Sequence, residues 1–137
     1  MKFAIVVGRF YEDLAARLVA GAQGVFDGEA DVFEVPGAFE LPLAASYLAA
    51  TGRYAGVACL GAVIRGETDH YDYVCAEAAR GIMKGALKTG IPCAVGVLTV
   101  ETRAPALART GGGGKRDQGA HAAEAVVTLA RMKASLA

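Results

Sequence analysis

The chain has 137 residues, with 14 Lys and Arg against 14 Asp and Glu, so no net field draws it to nucleic acid or to an anionic membrane. Hydrophobic residues make up 54% and 18 glycines add to them, above the about 45–50% apolar share of typical soluble domains, yet no run approaches the roughly 20 apolar residues that span a bilayer. This length suits one domain over residues 1–137, and the apolar surface it cannot bury alone is expected to be covered by copies of itself.

Lys2 to Val7 is apolar and branched and reads as a strand; after Gly8, Asp13 to Phe26 reads as a helix, with Leu14, Leu18, Ala22, Val25 and Phe26 at helical spacing. Asp31 to Val35 is a second strand, Pro36-Gly37 a break, and Phe39 to Ala50 a helix whose Pro42 is tolerable only in a first turn. A third strand, Ala55 to Leu60, leads into a loop from Gly61 to Asp69 and a helix from His70 to Lys88, where Gly81 and Gly85 suggest close helix packing. Cys93 to Val100 is the fourth strand. Thr102 is placed to cap a short helix beginning near Pro105, and a glycine run from Gly111 to Gly114 precedes a last helix, Ala120 to Leu136.

Alternating strands and helices predict an α/β fold: a parallel sheet covered on both faces, with ligands bound beyond the carboxyl ends of its strands. The loops at that edge hold the unusual residues. In G-A-V-I-R-G-E-T-D-H-Y-D-Y-V, from Gly61 to Val74, a strand end and helix start carry Arg65, Glu67, Thr68, Asp69 and His70, where backbone amides and a Thr hydroxyl suit an anion. The plainer reading is that Thr68 or Asp69 caps the helix and His70 is a surface residue. Of the two histidines, His70 is the better general acid/base candidate, since an imidazole both gives and takes a proton near neutrality.

In V-P-G-A-F-E, from Val35 to Glu40, the Ala38 and Phe39 amides and the Glu40 carboxylate point from a helix start to the same crevice, where a carboxylate suits the hydroxyls of a polyol, although Glu40 also fits a capping arrangement. Phe10, in G-R-F-Y after the first strand, either stacks on a planar heterocycle or finishes a core. Arg109 near the end of the short helix is ordinarily a surface cation unless the chain brings it to Thr68.

The run G-G-G-G-K-R from Gly111 to Arg116 fails the P-loop pattern, which wants Gly where Arg109 stands and Ser or Thr at Arg116. Cys75 lies five residues after His70, about 140° around a helix, which is poor for a Cys–His nucleophile. The odd set of Cys59, Cys75 and Cys93 lacks C-x-x-C spacing, and the first apolar run is too short for a signal peptide, so free thiols and a cytoplasmic location are expected. No His, Cys and carboxylate set has metal-ligand spacing.

Taken together, G-R-F-Y at Gly8, V-P-G-A-F-E at Val35, the Gly61 to Val74 segment and G-V-L-T-V-E-T at Gly96 resemble the 6,7-dimethyl-8-ribityllumazine synthases of riboflavin biosynthesis, essentially end to end and in order. The resemblance implies a flavodoxin-like three-layer sandwich with a four-stranded parallel sheet. It also implies condensation of 5-amino-6-ribitylaminouracil with 3,4-dihydroxy-2-butanone 4-phosphate, without metal or organic cofactor. By the same resemblance Phe10 would stack on the pyrimidine, Ala38, Phe39 and Glu40 would hold the ribityl chain, and Ala62, Val63 and Ile64 would offer backbone groups to the ring. Glu67, Thr68 and Arg109 would bind phosphate, Arg109 from a neighbouring subunit of a pentamer, and His70 would move protons.

Two departures stand out: Val95 replaces the usual Phe before G-V-L-T, removing an aromatic wall, and Gln118 replaces the usual Lys before Gly119. They leave open a catalytically weakened ligand-binding or shell-forming member of the same fold. The archaeal-type riboflavin synthases are a second rival, disfavoured by the His70 segment, and a nucleic-acid or nucleotide module built on Gly111 to Arg116 is a third. Because Met1 directly precedes the first strand, a pentamer or two pentamers face to face are expected over a sixty-subunit shell.

Overall fold

The computed structural model describes residues 1–67, 70–111 and 115–137. Four parallel strands, β1 (Phe3–Gly8), β2 (Asp31–Val35), β3 (Gly56–Ile64) and β4 (Cys93–Val100), form one sheet in the order β2-β1-β3-β4. The helices are α1 (Glu12–Val25), α2 (Leu41–Ala50), α3 (Tyr71–Thr89), α4 (Arg103–Ala108) and α5 (Gln118–Ser135), with a 3-10 turn at Ala38–Glu40 ahead of α2. The fold is α/β with the flavodoxin-like strand order.

β1 and β3 lie inside the sheet, covered on both faces, which is why their residues run apolar without alternation. Side chains of opposite parity feed two cores. Ile5, Val7, Ala58 and Leu60 meet Leu14, Leu18 and Ala22 of α1 and Ala122, Ala123 and Val126 of α5; Ala4, Val6, Val57 and Cys59 meet Leu41 and Ala45 of α2 and Ala78 and Ile82 of α3. β2 is an edge strand, and its Val32 and Phe33 stay partly exposed.

α1 and α5 approach so closely that a Cβ on Gly119 would collide with the Leu18 carbonyl. The Asp117 carboxylate caps α5, accepting the Ala120 N–H at 3.1 Å. On the other face a Cβ on Gly81 would come within 2.7 Å of Pro42, so α3 packs on the first turn of α2 there, whereas Gly85 has nothing within 4 Å and serves no such contact.

The expected elements are all present, with four differences. β3 runs on through Ile64, because Gly61 to Ile64 stay paired with Val97 to Val100, and the following loop begins only at Arg65. The segment before α2 is a separate 3-10 turn. α4 starts at Arg103 rather than near Pro105, with Thr102 at its N-cap position making no side-chain bond. α5 starts at Gln118, two residues earlier than expected, where Asp117 satisfies its first turn.

Candidate active site

The carboxyl ends of β1, β2 and β3 converge on a crevice of about 320 Å³, at the point where strand order departs on either side of β1. The first wall is the loop after β1, where the Arg9 N–H donates to the Val35 carbonyl at 2.9 Å and ties the ends of β1 and β2 together. Phe10 follows, 65% exposed, so it finishes no core; its ring meets Tyr11 edge-on, with centroids 4.8 Å apart. Arg103, paired with Asp13 across the first turn of α1, lies over the other ring, Tyr11, at 5.6 Å. The Arg103 hydrogen bond holds the Asp13 carboxyl below its usual value.

The second wall is the 3-10 turn. Ala38 is buried and anchors it, which leaves Phe39 and Glu40 facing outwards, while the Glu40 N–H donates to the Gly37 carbonyl at 3.2 Å. The ring of Phe39 is stacked on that of Tyr73 from α3. Glu40 is not a side-chain cap of α2.

The third wall is the end of β3 and the start of α3. Ala62 and Val63 line the crevice, and so do Glu67, His70 and Val74. Ile64 does not: its side chain is 1% exposed, in the core, and its carbonyl accepts the Glu67 N–H at 3.2 Å. Gly66, at φ 85°, takes the left-handed conformation that this turn requires. His70 is exposed at the N-cap position of α3, its carbonyl accepting the Val74 N–H at 2.8 Å. Thr68 and Asp69, and with them the anion site read at this helix start, lie outside the described residues.

The structure thus brings together Phe10, Ala38, Phe39, Glu40, Ala62, Val63, Glu67 and His70. It does not bring Arg109 or Val95 to them. Arg109 ends α4 and turns its guanidinium back to the Pro105 carbonyl, at 2.9 Å. Its backbone is pinned by the Gln118 N–H on its carbonyl, while Arg17 from α1 bonds Thr110 and Gly111 beside it. Val95 lies opposite Cys59 near the start of β4, in a separate groove of about 350 Å³ between β4 and α3, which Cys75 and Ala79 also line.

Gly37 and Val74 line the crevice and Tyr73 supports it without having been singled out from the sequence. Their spacing carried a signal: Tyr73 and Val74 stand three and four residues after His70, the separations that share a helix face. All three cysteines are free. Among the described residues, no helix is long and apolar enough to cross a membrane. The family model for 6,7-dimethyl-8-ribityllumazine synthase matches residues 1–134, and the chain belongs to that family.

Proposed function

We propose that the chain condenses 5-amino-6-ribitylaminouracil with 3,4-dihydroxy-2-butanone 4-phosphate to give 6,7-dimethyl-8-ribityllumazine. The observation that carries this reading is the make-up of one crevice: an exposed Phe10 and Phe39, carboxylates at Glu40 and Glu67, and His70, supplied by three strand ends. A flat aromatic face suits a pyrimidine and a carboxylate suits ribityl hydroxyls. The exposed imidazole of His70 is a side chain able both to take and to give a proton.

The reaction joins the amine to the ketone as an imine with loss of water, expels phosphate after a proton leaves the neighbouring carbon, and closes the ring with loss of a second water. Each step moves a proton, and His70 is the carrier in this scheme. Most of the acceleration comes from holding two substrates in contact, with proton transfer adding to it.

The phosphate needs a cation, and among the described residues lining the crevice none is Lys or Arg. A second copy of the chain supplies Arg109 in this reading and sets Val95 where an aromatic wall would stand. Exposed apolar side chains at both sheet edges support such an assembly: Val32 and Phe33 on β2, and Val95 on β4. A pentamer or pair of pentamers, with residues 1–137 as one domain, is the arrangement we favour.

Purified protein incubated with both substrates should develop lumazine fluorescence together with free phosphate. Binding of the pyrimidine without product would instead identify a ligand-binding member that has lost turnover, as Val95 and Gln118 would permit.

A further inference from the structure

Arg65 stands at the end of β3 and holds the site loop at both of its ends. Its backbone N–H donates to the Val100 carbonyl at 2.9 Å, which fixes the start of the loop to β4. Its guanidinium reaches α3, where Nη2 pairs with Asp72 Oδ1 at 2.9 Å and the guanidinium carbon lies 4.3 Å from the centre of the Tyr71 ring. Nε meets the Glu101 carboxylate at 3.1 Å, beyond the end of β4. Between those two anchors lie Glu67 and His70, and the residues gripped at the far end, Tyr71 and Asp72, follow His70 directly in the chain.

We propose that Arg65 is a positioning residue for His70, fixing the imidazole against the crevice by clamping the first turn of α3 to the ends of β3 and β4. The role rests on the reading of His70 as the proton carrier. Each ion pair is exposed and weak alone. The planar fork, engaged by two carboxylates while stacked on an aromatic face, holds one orientation as a flexible ammonium cannot.

The test uses the full chain with labelled histidine, because its two histidines, His70 and His121, give two imidazole signals that His70→Ala assigns. Arg65→Met should shift or broaden the His70 signal and leave that of His121 in place; Asp72→Asn, a milder cut through the same clamp, should move the same signal less. Turnover should fall about 10-fold or more in Arg65→Met, bounded above by the about 100- to 10,000-fold of acid/base help, and Arg65→Lys should restore part of it. In the His70→Ala background Arg65→Met should cost less than about twofold, since coupled residues are not additive. An unmoved His70 signal overturns the proposal, as does an equal loss of turnover in both backgrounds. If the unaltered chain makes no lumazine, the proposed reaction falls, and the imidazole signals still decide the clamp.

Discussion

The ring of Phe39 lies on that of Tyr73, with centroids 5.7 Å apart and planes 18° from parallel. The pair joins the turn after β2 to the first turns of α3 across the outside of the crevice. Both rings are largely exposed, so the contact orients Phe39 more than it stabilises the fold. Tyr73→Ala should weaken a ribityl-pyrimidine analogue by about 2- to 10-fold, the worth of one aromatic pair. Fluorescence titration measures it, and an unchanged affinity would mean that Phe39 keeps its place unaided.

His70→Ala should slow turnover by about 100- to 10,000-fold without abolishing it, because substrate positioning survives the loss of a proton carrier. The same variant should change the pH dependence of the rate, because the group that moves the proton is gone. A variant with the original profile would show that another group moves the proton.

If a second copy carries Arg109 to the phosphate, Arg109→Ala should chiefly weaken the phosphate-bearing substrate, since a charge-assisted contact would go while the aromatic walls remain. A phosphate-free pyrimidine analogue is the control. Equal loss for both ligands would indicate collapse of the segment that Arg17 and Gln118 hold, rather than loss of a phosphate contact.

Val95→Phe should tighten the pyrimidine by roughly 0.5–1.5 kcal/mol if a second copy places this position against the ring. The groove at Val95, about 350 Å³, is lined by Cys75, Ala76, Ala78, Ala79, Val97 and Thr99. Size exclusion with light scattering should return about five or ten chain masses for both forms. A stable monomer would remove the shared site, and Val95→Phe would then have no effect on affinity.

Burial pushes the Cys93 thiol up to about 11 and the Cys59 thiol well above its usual value. Both are raised in the folded chain, so their contribution to stability is complete below about pH 9 and is lost as pH rises towards 11. Urea unfolding at pH 8 and at pH 10.5 should show that loss, and Cys93→Ala should lessen it.

Much of this was legible because the apolar runs of β1 and β4 are bounded by Gly, Pro or charge, and because Leu14, Leu18 and Ala22 repeat at the helical period. The end of β3 was not. Gly61 reads as a loop residue, yet it lies within the sheet, and the walls at Ala62 and Val63 are therefore set by strand pairing. The Asp117 cap was missed because Gln118 and Gly119 lack the apolar side chains that mark a helix start. For the site, spacing placed Phe10, Glu40 and His70 at one edge. It gave no direction for Arg109, whose guanidinium turns onto its own helix, nor for Val95, whose face of β4 depends on the register with β3.

A methyl group on Gly8 would lie 2.8 Å from the carbonyl carbon of Gly37 and 3.1 Å from the Ala38 nitrogen. Main chain therefore rests on main chain where the first and second walls of the crevice meet, and no side chain can yield there. On that flank the width available to a ligand is a fixed dimension of the polypeptide. Variants selected for bulkier ligands should accumulate changes at Ala62, Val63 and the loop ending in His70, and leave Gly8 alone.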